Sequence, residues 1–127
     1  MICYRSATNG SFHSPQSRTN SEVISSNLLK AAIFGADANW GRVICALGYS
    51  GVEFDLELVD ISFKSNDEIL CCESGKGLDF DEEKAKSILL QEEIEIICDM
   101  HSGNESCTCW GCDLTYDYVK INGDYRT

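Results

Sequence analysis

The sequence predicts an α/β fold of the mixed-layer (α+β) kind, and three observations carry that prediction. Apolar residues recur at helical spacing over Ser21–Ala32 and again over Trp40–Leu47. Strict alternation marks half-buried strands, with Val59, Ile61 and Phe63 set against Asp60, Ser62 and Lys64. A second strand, Glu68–Glu73, follows across the turn Ser65-Asn66-Asp67, and the resulting hairpin argues against a purely parallel sheet. Strands mixed with segregated helices pack as layers around one core, here a mixed sheet packed by helices.

Each element has its own signal. In the first helix Val23, Ile24 and Leu28 share a face, and Ser21 is a candidate N-cap because its hydroxyl can take a free backbone N–H. Gly35 breaks the chain. Trp40, Val43, Ile44 and Leu47 then make one stripe, with Asn39 or Asp37 to cap it and Gly48 to end it. Asp79-Phe80-Asp81-Glu82 resembles a capping box for a helix that runs to about Leu90, with Ala85, Ile88 and Leu89 inward. Ile94, Ile96 and Cys98 alternate in another strand. Ser102-Gly103-Asn104 turns the chain into a last strand, Glu105–Gly111. A final helix is expected from Asp113 to Asn122-Gly123, with Leu114, Tyr118 and Ile121 as its stripe and Gly123 as its C-terminal cap.

Composition bounds the function. The 127 residues are the length of one ordinary domain. A net charge of −11 argues against non-specific nucleic-acid binding, which needs a basic surface. No apolar run approaches the roughly 20 residues that span a bilayer, so no membrane role is expected. The start, MICYRSATNGSFHSPQ, lacks the apolar core of a secretory signal. Residues 1–20 carry Arg5 and Arg18 and no acid, and residues 6–20 are mostly Ser, Thr, Asn and Gly. They read as a loose segment ahead of a folded unit over 21–127.

Eight cysteines raise the question of metal or disulfides: Cys3, Cys45, Cys71, Cys72, Cys98, Cys107, Cys109 and Cys112. Without a secretory signal, reduced thiols in a cytosol are the default. Cys45 and Cys98 stand where a small apolar residue fits a helix and a strand. Cys107-Thr-Cys109-Trp-Gly-Cys112 has thiolates but no matching second pair, so buried strand cysteines outweigh a zinc site. The histidines, His13 and His101, have no supporting motif for a cysteine hydrolase. The acids from Asp79 to Glu83 complement a helix N-terminus better than they make a metal site. Asp37-Ala-Asn39-Trp-Gly-Arg42 reads first as a capped helix start with Trp40 anchoring the core; a ligand on Asn39 or Arg42 is the sharper alternative.

Three stretches carry a resemblance. They are KAAIFGADANWGRVICALGYSGVEFD (30–55), DFDEEKAKSIL (79–89) and WGCDLTYDYVKINGDYRT (110–127). Together they resemble the C-terminal part, within the β chain, of the ornithine acetyltransferase / glutamate N-acetyltransferase family of arginine biosynthesis. The resemblance covers residues 21–127, and residues 1–20 match nothing in it. In that family alanines usually stand at the positions of Cys107 and Cys109, which favours buried strand residues there. The resemblance implies a cytoplasmic enzyme that moves an acetyl group from N-acetylornithine to glutamate, with acetyl-CoA as a further donor in some members and no bound cofactor or metal. The acetyl group passes through a threonine freed by self-cleavage at the start of the β chain.

That nucleophile lies upstream of the shared blocks, and Thr8 and Thr19 do not stand in its cleavage context. No catalytic residue is therefore expected in this chain. Two substrate contacts carry over by position: Asn122, in the family's ING/INA motif, and Thr127, the last residue. An amide and a terminal carboxylate beside a helix C-terminus would seat a substrate ammonium group. The expected partners are the family's α chain and the N-terminal part of the β chain, in a hetero-oligomer. Three other readings stand beside this one: a non-catalytic interaction subunit, a truncated gene product, and a thiol-rich metal-binding protein.

Overall fold

A computed structural model describes residues 2–8, 22–51, 54–102 and 105–124. Six strands form one sheet: β1 (Ile2–Thr8), β2 (Asp60–Lys64), β3 (Glu68–Glu73), β4 (Lys76–Gly77), β5 (Ile94–Ser102) and β6 (Glu105–Gly111). Four α-helices accompany them: α1 (Asn27–Phe34), α2 (Trp40–Tyr49), α3 (Glu82–Leu89) and α4 (Tyr116–Asp124). A 3-10 turn spans Leu56–Leu58. The strand order is β4-β3-β2-β5-β1-β6. β1 runs parallel to β5, and the other pairs are antiparallel, so the sheet is mixed as expected.

β1 corrects the sequence reading. Residues 2–8 are not a loose lead-in; they occupy an interior position of the sheet, with Ile2 opposite both Ile94 and Gly111. The polar composition of residues 6–20 hid a strand whose ladder bonds are made on both sides. Residues 9–21 lie outside the described residues.

The hairpin β2–β3 forms as expected and contains one bulge. Ile61 faces Cys72, but the next residue, Ser62, faces Leu70. Cys71 is the extra residue, and the bulge lets the adjacent Cys71 and Cys72 both turn inward. Along β5, Ile94, Ile96, Cys98 and Met100 are buried, which is the period of a sheet with one covered face. They join Ile61, Phe63 and Ile69 from the hairpin and the inward faces of α1, α2 and α3 in one core.

Local chemistry sets the helix boundaries. Ser26 Oγ accepts from Leu29 N at 3.2 Å and caps α1, so the single helix expected over Ser21–Ala32 breaks there into a turn over 22–25 and α1 proper. Asn39 Oδ1 accepts from Arg42 N at 3.1 Å and caps α2, as expected. Gly48 does not end α2; it continues to Tyr49, with Ser50 as its cap. Cys45 faces outward, not into the core, because Val43, Ala46 and Leu47 fill the buried stripe. Asp81, two residues beyond the expected box start, caps α3 through Glu83 N and Lys84 N. Ala85, Ile88 and Leu89 are buried as expected.

Trp40 packs half-buried against the core, and β4 lies over it so closely that a Cβ at Gly77 would overlap the indole ring. The final helix departs most from expectation. It begins at Tyr116, because Thr115 Oγ1 accepts from Tyr118 N at 3.0 Å and starts it later than Asp113. Gly123 lies inside it. Tyr118 and Ile121 of the expected inward stripe are exposed, and Leu114 precedes the helix. Ser102 closes β5; the Gly103-Asn104 part of the expected turn lies outside the described residues.

Phe63→Ala should destabilise the fold by about 3–5 kcal/mol, because it empties a fully buried aromatic site. Ile121→Ala, on the exposed helix, should stay within about 0.5 kcal/mol. Urea midpoints of the two variants against the parent check both values.

Candidate functional site

The candidate site is the C-terminal helix with its attachments. β6 delivers the chain to Gly111, which lies against Ile24: a Cβ there would meet Ile24 Cγ1 at 2.6 Å. A glycine is therefore required for β6 to end against the first helical turn. Leu114 N donates to Lys30 O at 3.5 Å, a long bond that ties the connection to α1. Tyr116 then meets Phe34 edge-on, with ring centroids 5.2 Å apart and planes at 88°. The helix is thus moored at its first turn and bare beyond it: Val119 is 57% exposed and Ile121 67%.

Asn122 lies on this helix, exposed, with its Nδ2 donating to Tyr118 O at 2.9 Å. That bond spends one of the two amide N–H donors within the helix. The second N–H and the amide oxygen remain for a ligand, and the oxygen is an acceptor suited to an ammonium N–H. Thr127 lies outside the described residues, so the described residues do not test whether the two come together.

The Asn39–Arg42 stretch takes the plainer of its two readings. Besides capping α2, Asn39 donates from Nδ2 to Asp37 Oδ2 at 3.2 Å. Arg42 Nη1 donates to Leu28 O at 2.7 Å, which fastens α2 to α1. Both side chains are committed to holding the helix pair beneath the candidate site.

Cys71, Cys72 and Cys98 are buried in the core and placed for packing more than for chemistry. Burial, then the charges of Glu82 and Cys72, push the Cys71 thiol up to about 12. Burial first, and then the Asp60 charge, raise Cys72 as well. Thiols held neutral in this way are poor nucleophiles and poor metal ligands. Among the described residues no three His, Cys, Asp or Glu side chains converge on a point that could hold a metal ion. No helix among them is long and apolar enough to cross a membrane.

Sequence reasoning missed one cluster. His101 stands near the end of β5, with Nε2 2.6 Å from Asp60 Oδ2. The signal was present in the spacing of Asp99 and His101, which puts both on one side of a strand. An open cleft of ≈ 730 Å³ also lies at the other end of the sheet, lined by Lys64, Asn66, Glu92, Glu95 and Trp110 among others. It is built from strand ends and the α3–β5 connection and does not include Asn122.

The six-stranded mixed sheet, helices packed on one face and an exposed C-terminal helix held at one end define an α/β unit. The chain belongs to the ArgJ family, whose sequence model matches residues 8–127. The "Arginine biosynthesis bifunctional protein ArgJ 1" of Clostridium acetobutylicum is 59% identical over 106 residues, which are 83% of this chain and 26% of that protein. The "Glutamate N-acetyltransferase" of Methanopyrus kandleri is 42% identical over all 127 residues, 32% of its own length. That alignment runs through β1, so the expectation that residues 1–20 match nothing in the family is corrected. The crystal structure of the arginine biosynthesis bifunctional protein argJ from Bacillus halodurans superimposes with a TM-score of 0.88 at 38% identity, covering 98% of this chain and 57% of that one. The chain thus spans about a quarter to a third of the length of the curated relatives it matches.

Thiol labelling of the native chain should modify the exposed Cys45 and Cys112 first. Cys71, Cys72 and Cys98 should react only on unfolding, which timed mass spectrometry with an alkylating agent would read out.

Proposed function

We propose that this chain forms one wall of the substrate pocket of a cytoplasmic acetyltransferase of arginine biosynthesis. The enzyme moves an acetyl group from N-acetylornithine to glutamate, with acetyl-CoA as a further donor. The family match over residues 8–127 carries the reading, because it includes the aromatic C-terminal helix that bears Asn122. Asn122 and Thr127 contact the substrate. The acyl-carrying threonine comes from polypeptide beyond these 127 residues, namely the rest of the β chain working with the α chain.

The bare surfaces support a partner of this kind. Helices cover one sheet face; on the other, Lys64, Glu95 and Trp110 fall in one row across β2, β5 and β6, and Trp110 is 63% exposed. Tyr116, Tyr118 and Ile121 are exposed on α4, and Phe34 beside it. Apolar surface of this kind marks an interaction site. The same surface favours a second reading, a subunit that docks without touching substrate, and substrate kinetics separate the two.

The purified 127-residue chain should show no acetyl transfer from N-acetylornithine to glutamate; measurable turnover would sink the proposal. In the assembled enzyme, Asn122→Ala should lower kcat/KM by about 10–100-fold, the loss of one hydrogen bond to a charged group. An unchanged kcat/KM for that variant would favour the docking-only subunit.

A further inference from the structure

The end of β5 is irregular in a way that assembles charge. Against β1, Ala7 faces Asp99 but the next residue, Thr8, faces Ser102, so Met100 and His101 are extra. His101 absorbs the bend with a left-handed φ of 48°. On the other side of β5, Asp60 and Asp99 are direct cross-strand partners. Two carboxylates set opposite one another in an antiparallel pair repel.

The imidazole of His101 answers that repulsion. Its Nε2 is 2.6 Å from Asp60 Oδ2, and its Nδ1 is 3.7 Å from Asp99 Oδ1. Its backbone N–H donates to the same Asp99 oxygen at 2.9 Å. The second Asp60 oxygen, Oδ1, accepts from the backbone N–H of Ser74 at 2.8 Å. Ser74, φ 51°, and Gly75, φ 74°, are the two left-handed residues of the tight turn between β3 and β4, and Gly75 N donates to Val59 O at 2.8 Å. One carboxylate therefore joins the end of β5 to a turn two strands away. That turn leads directly into Gly77, which backs onto Trp40.

The geometry points to a proton-operated latch: protonated His101 offsets the repulsion between Asp60 and Asp99 and, through Asp60, holds the β3–β4 turn against the sheet, and loss of the proton loosens both. An imidazolium donates from both nitrogens and faces both acids; the neutral ring carries one proton and serves only one of them. The hydrogen bond His101 donates to Asp60, then the charge of Asp99, raise His101 above its ordinary value of 6.5, against a weaker opposing effect of burial. Burial alone would raise Asp60. The hydrogen bonds from His101 and Ser74 and the His101 charge outweigh it, and the carboxyl lies below its usual 3.8. From β3, Cys72 lies opposite Ile61; burial and the Asp60 charge raise its thiol, which stays neutral over this range.

The signs fix the window. A histidine raised in the folded state contributes fully below its ordinary value, and that contribution is lost as pH rises through the elevated one. A lowered aspartate contributes above its ordinary value and loses this as pH falls through the folded one. The latch is therefore closed between about pH 4 and 6.5 and opens on the alkaline side by the titration of His101.

The test is an NMR titration of the chain labelled on its two histidines, His13 and His101, with the Ser74 amide followed in the same samples. The His101 ring should titrate above 6.5, and the Ser74 amide should shift with the same midpoint. Asp60→Asn should bring the ring back toward its ordinary value. His101→Asn, which tolerates the left-handed backbone, should leave the Ser74 amide without a transition. A ring that titrates at or below 6.5 in the parent chain, or a Ser74 amide that does not follow it, would overturn the latch, and neither observation needs a variant to fold.

Discussion

The pairing of β1 with β5 is the constraint on which the rest of the structure depends. β6 reaches the sheet only through β1, and α4 reaches the fold chiefly through β6 and the short link after it. A strand from one end of the sequence is thus clasped by two strands from the other end. The core above this clasp is ordinary: Ile61, Phe63, Ile96 and Cys98 on one sheet face, with α1, α2 and α3 laid over them. The clasp makes α4, and with it Asn122, part of the same body as that core.

Most of the fold was legible in the sequence because most of it is locally encoded. The alternation of Asp60–Lys64 and the stripe of Trp40, Val43, Ile44 and Leu47 each follow from one face being packed on the core. Asn39 and Asp81 cap helices with the chemistry expected of their types. β1 was not legible, because nothing local distinguishes ICYRSAT followed by serine and asparagine from a polar lead-in. Its strand character comes from two partners more than eighty residues away. The bulge at Cys71 escaped notice for the same reason: a pair of adjacent inward cysteines breaks the period of two.

The candidate site was legible in a different way. Asn122 was found through a long matching stretch and not through its own chemistry, which is that of an exposed helical amide. The expected stripe of α4 had the right spacing and the wrong interpretation. Spacing identifies which residues share a face; it does not say whether the matching surface belongs to the same polypeptide. Of the His101–Asp60–Asp99 cluster only the spacing of Asp99 and His101 is local; Asp60 arrives from a strand some forty residues earlier in the chain.

The interior position of β1 also bears on the order in which the sheet can be assembled. Within this segment β1 is synthesised about ninety residues ahead of Ile94, its first parallel partner. At ribosomal rates of about 5–20 residues per second, it waits about 5–20 s with both edges unpaired. The hairpin β2–β3 can close in microseconds once made, but the parallel junction must wait for a long loop to fold back on itself. Nascent-chain aggregation and chaperone dependence should therefore concentrate on the first eight residues, a stretch whose composition gives no warning of it.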